Sequence, residues 1–219
     1  MLVDKHNYSI DHFKNTYQTK PDGGARFQRF EHLKYAMSKA SVNGSVLEFG
    51  VWRAKTTNYI ADLVPTLKVY GFDSFEGLPE DWAVYEREIV GEAPIRHTKG
   101  TFARKLPKVR GNIELIKGFF DQSLLPWLKE HPEVNPIKLL HIDSDLYSSA
   151  KFVLTTLNHC IVPGTIIVFD ELCPFTRKGY DTWADHEYKA IYEWIQENDR
   201  VFEPISRSQH QQAAIKVVQ

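Results

Sequence analysis

The chain has 219 residues, of which 42% are hydrophobic and 13% aromatic, and its formal net charge is -1 at pH 7. This length and composition predict one α/β domain with a substantial core. Because basic residues do not outnumber acidic ones, the sequence gives no reason to expect nucleic acid or an anionic membrane as a partner. Cys160 and Cys173 form no CxxC pair, and the sequence has neither a signal-peptide pattern nor an apolar run of about 18 residues. We therefore expect a single soluble, cytoplasmic domain over residues 1–219, with reduced thiols.

The first 40 residues predict an arm followed by a helix. Residues 1–24 alternate between polar and aromatic side chains and end in a Gly-Gly break, so we expect an arm or lid that docks on the body. Apolar side chains from Phe27 to Ala40 then recur at helical spacing, which predicts an amphipathic helix over residues 26–40. Its aromatic side chains, including Phe30, are expected in the core.

The segment that follows resembles the first βα turn of a nucleotide-binding fold. A buried strand over Ser45–Phe49 ends at Gly50, and a helix is predicted over residues 57–64. Backbone N–H groups at the start of such a helix can meet an anionic group. Trp52 and Lys55 stand where a pyrophosphate-binding GxGxxG motif needs small residues, which counts against a dinucleotide. This departure leaves room for a smaller ligand that carries a carboxylate, such as S-adenosylmethionine.

A second strand, over residues 68–72, places Asp73 at its carboxyl end. In α/β nucleotide folds a carboxylate at this position accepts hydrogen bonds from both ribose hydroxyls. The alternative is that Asp73 caps the turn that follows it, and we favour the ribose role.

Residues 79–111 are broken by glycine and proline, and a loop of this length predicts a lid or a substrate-binding insertion. Its second half is basic and contains no acidic residue. This segment is either a solvated face or the place where one or two bases meet an acidic substrate or the carboxylate of the cofactor. The basic residues are Arg96, His97, Lys99, Arg104, Lys105, Lys108 and Arg110.

A third strand, over residues 112–117, ends in Gly118, and a helix is predicted over residues 121–131. Glycine and aromatic residues at a strand end suit an adenine site, although Phe119 and Phe120 are equally consistent with core packing.

Two further strands, over residues 137–142 and 165–169, each end in a pair of acids. Ligands of open α/β sheets bind outside the carboxyl ends of the strands, so we expect these side chains in one crevice. The four acids are Asp143, Asp145, Asp170 and Glu171.

The remaining pattern completes the fold class. Helices are predicted over residues 147–157 and 181–198, and two strands over residues 201–205 and 213–218. The alternation predicts a doubly wound, mostly parallel, seven-stranded sheet of the Rossmann-like type with an antiparallel edge.

Four carboxyl groups in one crevice repel one another, and a divalent cation would relieve that repulsion. Oxygen ligands favour Mg²⁺, Ca²⁺ or Mn²⁺ over zinc, and we assign Asp143, Asp170 and Glu171 as metal ligands. Asp145 is then free to take a proton. His141, inside the strand, is predicted to be a hydrogen-bonded core residue rather than a catalyst.

A metal beside a nucleoside site can hold a substrate hydroxyl, lower its pKa and aim it at an electrophile. If the electrophile is a sulfonium methyl group, the product is an O-methyl ether. Two other hypotheses remain open. Asp143-Ser-Asp145 could be the DxD motif of a metal-dependent glycosyltransferase that uses a nucleotide sugar, or the acids could cap strand ends in a non-catalytic cofactor-binding module.

Five motifs together resemble the macrocin O-methyltransferase (TylF-type) family of S-adenosylmethionine-dependent enzymes, which methylate sugar hydroxyls in antibiotic biosynthesis. The resemblance spans about residues 44–200. The motifs are Val46-Leu-Glu-Phe-Gly-Val-Trp-Arg53, Gly71-Phe-Asp-Ser-Phe-Glu-Gly-Leu-Pro79, Gly100-Thr-Phe-Ala-Arg104, Ile142-Asp-Ser-Asp-Leu-Tyr-Ser149 and Val168-Phe-Asp-Glu171.

The resemblance implies Mg²⁺ or another divalent cation at Asp143, Asp170 and Glu171, a general base at Asp145 and a small hydroxylated substrate, such as a sugar or a glycosylated natural product. It also implies a helical lid, and a homodimer is consistent with it. Asp143 is placed in the catalytic pair with Asp145. With the strand ends, the resemblance predicts cofactor contacts from Glu48, Gly50, Val51, Thr56, Asp73, Ser74, Gly118, Phe120 and Asp143.

Overall fold

The computed structural model describes residues 1–14, 27–83, 96–173 and 183–219. Nine strands occur in this part of the chain. In chain order they are β1 (Ser45–Phe49), β2 (Val69–Asp73), β3 (Trp82–Ala83), β4 (Arg96–His97), β5 (Ile113–Lys117), β6 (Ile137–Ile142), β7 (Ile166–Phe169), β8 (Phe202–Arg207) and β9 (Ala213–Val217).

Helices alternate with the strands. They are α1 (Asp11–Lys14), α2 (Arg29–Met37), α3 (Lys55–Leu63), α4 (Phe120–Glu130), α5 (Tyr147–Thr156) and α6 (Glu187–Asn198), with 3₁₀ turns at Pro132–Val134 and Trp183–Asp185. Among the described residues, no helix has the length and apolar character that a membrane span requires.

Seven of the strands form one sheet in the order β5-β2-β1-β6-β7-β9-β8. The five strands from β5 to β7 are parallel, whereas β9 runs antiparallel to both β7 and β8. The order reverses between β1 and β6, which is where open α/β sheets form a ligand crevice. The predicted fold class, a mostly parallel seven-stranded sheet with an antiparallel edge, is confirmed.

Helices cover both faces of the sheet, and this explains why its central strands are mostly apolar, with Glu48 of β1 and His141 of β6 as buried exceptions. Leu47 and Phe49 of β1 pack in the cluster that contains residues of α4, α5 and α6. Val46 points to the other face, where it packs with residues of α2 and α3 such as Leu33 and Ile60. A strand that is buried on both faces reads as a continuous hydrophobic run rather than as an alternation.

Two predicted helices differ from the observed ones by more than two residues at an end. The helix predicted over residues 26–40 is observed as α2, and Phe30 at its start is 39% exposed rather than in the core. The helix predicted over residues 181–198 begins at Glu187, after the 3₁₀ turn at Trp183–Asp185. Residues 181 and 182 lie outside the described part of the chain.

The predicted arm and the predicted insertion are described only in part. Val3 exchanges two backbone hydrogen bonds with Phe202 of β8, and the Phe13 side chain is fully buried. Residues 15–24 of the arm and 84–95 of the insertion lie outside the described ranges. Within the described parts of the insertion, β3 and β4 pair with each other in antiparallel fashion.

The turn after β1 brings two strand ends into contact. Gly50 has a φ of +97°, and a Cβ atom at this residue would lie 1.7 Å from the carbonyl oxygen of Asp143. Only glycine allows the two backbones to approach this closely. Farther along the turn, Ala54 also has a left-handed φ, +54°, immediately before α3. The turn is therefore tight and fixed against the end of β6.

We predict that Gly50→Ala lowers the free energy of unfolding by about 2–4 kcal/mol, because the new methyl group overlaps backbone atoms and the residue is held at a strained φ. Chemical denaturation measures this loss. Gly111→Ala is the matched control, since no atom lies within 4 Å of a Cβ atom built at Gly111. We expect the control to change stability by less than about 1 kcal/mol, and equal effects of the two substitutions would contradict the prediction.

Candidate active site

A cavity of about 750 Å³ opens at the carboxyl ends of the parallel strands. The ends of β1, β2, β6 and β7 contribute to its wall, together with the first residues of α2, α3, α4 and α5. Most of the predicted site residues are in that wall. They are Gly50, Val51, Thr56, Asp73, Ser74, Phe120, Asp143, Asp145, Asp170 and Glu171.

Carboxylates are concentrated on one side of the cavity. Asp143, Asp145 and Glu171 each place an oxygen within 4.8 Å of the others, and Asp143 and Asp170 form a second such group with a nitrogen of His141. Partial burial and the neighbouring Asp170 charge raise the pKa of Asp143 to about 7. Burial, followed by the neighbouring acids, also raises the pKa values of Asp145 and Glu171 well above their ordinary values. The predicted clustering of the four acids is therefore present.

Arg29, the first residue of α2, reaches into this group of acids. Its guanidinium forms ion pairs with Asp143 and with Oδ1 of Asp170, the latter at 3.0 Å. Burial raises the pKa of Asp170, but the positive charges of His141 and Arg29 outweigh burial and lower that pKa overall. Sequence reasoning missed Arg29, because nothing in the pattern of an amphipathic helix indicates a partner that lies more than a hundred residues away.

A chain of buried polar groups lies behind the cavity wall and reaches Asp170. Glu48 is fully buried, its Oε1 lies 2.9 Å from Nδ1 of His141, and its other oxygen accepts a hydrogen bond from Thr57. His141 Nε2 in turn lies 3.7 Å from Asp170, which is ion-pair distance. Burial by itself would lower the pKa of His141, but Asp170 and Glu48 raise it to about 10. His141 is thus a positively charged link between two carboxylates.

Glu48 and Gly118 are the two predicted cofactor-binding residues outside the cavity wall. Glu48 lies behind that wall, where Thr57 and His141 each contact one of its oxygens. Gly118 donates its N–H to the carbonyl oxygen of Asp73 at 3.0 Å. The geometry gives both residues supporting places, and a direct contact of either one with a cofactor stays a prediction.

Two further residues position the acids of β7 and were not predicted. Gln212, just before β9, donates to Oδ2 of Asp170 at 3.2 Å. Glu187, at the start of α6, accepts the backbone N–H of Glu171 at 2.9 Å. Both partners come from later in the chain and carry no local motif, so the sequence offered no signal for them.

The acids fit a hard divalent cation. Glu171 is buried, and its Oε2 has no hydrogen-bond partner among the described residues. A buried oxygen without a partner is costly, and a metal ion would satisfy it. Each of the groups Asp143, Asp170 and Glu171 offers carboxylate oxygen, the ligand type that Mg²⁺ prefers. Asp143 shares one group with Asp170 and another with Asp145 and Glu171, so oxygen ligands are available on this side of the cavity, and the ligand set of Asp143, Asp170 and Glu171 stays a prediction.

Asp73 lies across the cavity and already holds the β1 turn. Its Oδ2 accepts the backbone N–H groups of Val51 at 2.9 Å and Trp52 at 2.8 Å, and its Oδ1 accepts that of Phe75 at 2.7 Å. The turn-capping role is therefore present in the structure. A carboxylate has about four acceptor positions, so one remains on Oδ1. This position is available to a ribose hydroxyl, and the ribose role of Asp73 stays a prediction.

Aromatic side chains form the wall next to Asp73. Phe119 and Phe120 both line the cavity, and Phe120 packs edge-on against Phe49 with ring centroids 5.1 Å apart. At the rim, Trp52 is 41% exposed and contacts the ring of Phe102. This side of the cavity offers flat apolar surfaces of the kind on which a nucleobase stacks.

Among the described side chains of the basic segment at residues 96–110, no charged group lines the cavity. Arg110 is paired with Asp62 of α3 at 2.8 Å, and both side chains are exposed. Arg104 places its guanidinium 6.0 Å from the ring of Trp52, at the rim. Among the described residues, the geometry favours a solvated face for most of this segment.

Comparison with known proteins gives a consistent picture. The model of the family described as macrocin-O-methyltransferase (TylF) matches residues 15–199. The chain is 26% identical over 196 residues to the mycinamicin III 3''-O-methyltransferase of Micromonospora griseorubida. The aligned region covers 81% of this chain and 74% of that protein. It is 24% identical over 217 residues to the demethyldecarbamoylnovobiocin O-methyltransferase of Streptomyces niveus, with 86% and 79% covered.

A solved structure of a calicheamicin methyltransferase has the same fold. The two chains superpose with a TM-score of 0.61 at 22% sequence identity, over 86% of this chain and 80% of the other.

We predict that His141→Leu lowers the free energy of unfolding by about 3–5 kcal/mol, because it leaves Glu48 and Asp170 without their shared positive partner. Chemical denaturation in the presence of a chelator isolates this effect from any bound metal. His159→Leu is the control, since His159 is exposed and should change stability by less than about 1 kcal/mol. If His141→Leu lowers the free energy of unfolding as little as His159→Leu does, the contacts of His141 with Glu48 and Asp170 do not stabilise the fold.

Proposed function

The chain belongs to the macrocin-O-methyltransferase (TylF) family and is an S-adenosylmethionine-dependent O-methyltransferase; from this membership we propose that it methylates a sugar hydroxyl with a divalent cation held by Asp143, Asp170 and Glu171. The observation that carries the proposal is the group of acids at the ends of β6 and β7, with the buried, unpartnered Oε2 of Glu171 among them.

The cofactor site is proposed at the β1 turn and the end of β2. Asp73 offers its remaining acceptor position to a ribose hydroxyl, while its other hydrogen bonds hold the turn in shape. The first N–H groups of α3, at Lys55 and Thr56 in the cavity wall, have no acceptor within the helix and can donate to a carboxylate. Phe119 and Phe120 provide a surface for the adenine ring.

When bound, S-adenosylmethionine supplies an electrophilic methyl group and the divalent cation lowers the pKa of the acceptor hydroxyl. Asp145 is proposed to accept the proton of that hydroxyl as the C–O bond forms and the C–S bond breaks. A raised pKa suits this role, because a base accepts a proton most effectively when its pKa lies closer to the working pH. Asp143 is proposed to orient the acceptor hydroxyl beside Asp145.

Family membership decides between the hypotheses that the sequence left open. A glycosyltransferase that binds a nucleotide sugar through Asp143-Ser-Asp145, and a module without catalytic activity, both conflict with membership of a methyltransferase family.

The acceptor is proposed to be a small molecule, a sugar or a glycosylated natural product. The two relatives carry the names of mycinamicin and novobiocin O-methyltransferases, which supports a natural-product pathway. The cavity, at about 750 Å³, has room for a ligand pair of this kind. We extend the proposal to a cytoplasmic enzyme, in line with the reduced cysteines.

The metal site is tested with the variant Glu171→Gln. An amide cannot supply a charged ligand, so we expect Mg²⁺ affinity, measured by calorimetry on the chelator-treated protein, to fall at least about tenfold. Glu187→Gln is the matched control. Glu187 is also a buried glutamate of this cluster, and glutamine can still accept the N–H of Glu171, so its Mg²⁺ affinity should stay within about threefold of the wild type. Equal losses in the two variants would remove Glu171 from the ligand set.

The proposed base is tested with Asp145→Asn. Asp145 has a φ of +63°, a conformation that asparagine tolerates, so the backbone should be preserved. We expect turnover with a sugar acceptor to fall by about 10²–10⁴-fold, and the affinity for S-adenosylhomocysteine to stay within about twofold. Asp185→Asn, at an exposed acid, should leave both quantities unchanged. Retained turnover in Asp145→Asn would show that another group takes the proton.

A further inference from the structure

The position of Arg29 raises a question that the methyltransferase activity alone does not answer. Its guanidinium contacts Asp143 and Asp170, which are two of the three carboxylates proposed to hold the divalent cation. The guanidinium contacts the proposed ligand oxygens themselves. It therefore supplies the positive charge that a cation would also supply.

The guanidinium and a metal ion cannot use these oxygens together at low cost. The Arg29 nitrogen is 3.0 Å from Oδ1 of Asp170, and a Mg²⁺ ion on that oxygen would sit at about 2.1 Å from it. Two positive groups on one oxygen would lie within a few ångströms of each other, where like charges repel strongly. Binding of the ion should therefore require the guanidinium to move away.

The structure allows that movement. Arg29 is the first residue of α2, and its side chain is 37% exposed at the wall of the cavity. The helix itself is fixed, because Leu33 and Ala36 are buried against the sheet. A rotation of the side chain into the open cavity can release Asp143 and Asp170 without moving the helix. Nε of Arg29 has no hydrogen-bond partner among the described residues, so the rotation breaks no hydrogen bond at that atom.

We propose that Arg29 is a built-in competitor of the divalent cation: its guanidinium and the metal bind Asp143 and Asp170 alternately. This inference rests on the proposed metal site. It predicts opposite effects of removing the Arg29 charge on metal affinity and on stability without metal. Removing the charge of Arg29 should strengthen metal binding, and it should weaken the protein when no metal is bound, because the acids then lose an internal counter-charge.

The test compares Arg29→Met with the wild type in two measurements. Calorimetric titration of the chelator-treated protein with Mg²⁺ should show at least about tenfold tighter binding in the variant. Thermal unfolding with a chelator should show a lower Tm for the variant, and saturating Mg²⁺ should close most of that gap. Arg29→Lys keeps the positive charge, so its Mg²⁺ affinity should be closer to that of the wild type. This variant distinguishes an effect of the charge from an effect of side-chain packing.

Arg53→Met is the matched control, since Arg53 also lines the cavity but lies over the ring of Trp52 and away from the acids. Its Mg²⁺ affinity should match that of the wild type. Unchanged or weaker Mg²⁺ binding in Arg29→Met, with binding still lost in Glu171→Gln, would overturn the competition and leave the metal site standing. Mg²⁺ binding to neither the wild type nor Arg29→Met would overturn the metal site itself, and the competition with it.

Discussion

Repulsion among the carboxylates at the ends of β6 and β7 is the constraint on which the rest of the site depends. Asp143, Asp145, Asp170 and Glu171 all reach one cavity, and three of them have raised pKa values because burial and their neighbours oppose ionisation. Of these four acids only Asp170 has a lowered pKa, and it lies near both His141 and Arg29. The arrangement persists because other parts of the fold supply that charge.

The supporting groups come from well-separated parts of the chain. His141 lies inside β6 and links Asp170 to Glu48 of β1, while Arg29 arrives from α2. The opposite side of the cavity is organised by backbone groups, with Asp73 holding the turn that follows β1. Gly50 joins the two sides, since its backbone lies against that of Asp143. Contacts within the protein thus hold the walls of the cavity in place, and such preorganisation is a main source of catalytic power.

The sequence predicted the parts of this structure that are encoded locally. Apolar runs followed by acids indicated β6 and β7, and the alternation of strands and helices predicted the seven-stranded sheet, because strand burial and helical periodicity are properties of short segments. The expectation that His141 is a hydrogen-bonded core residue agrees with its contact to Glu48. The role of Arg29 could not be predicted, since its ion pairs depend on the packing of α2 over a distant strand. For the same reason the sequence left the capping role of Asp73 as an alternative, whereas the structure shows three backbone N–H groups donating to its carboxylate.

The antiparallel edge has a consequence for how the protein is made. β9 follows β7 by more than forty residues, yet it lies directly beside it and is preceded by Gln212, which contacts Asp170. During synthesis the five parallel strands emerge from the ribosome well before β9, and one edge of β7 then remains unpaired. Until β9 and β8 arrive, that edge is open to pairing with another chain. The two strands that follow β7 along the chain thus cover its open edge and bring Gln212 to the acid site.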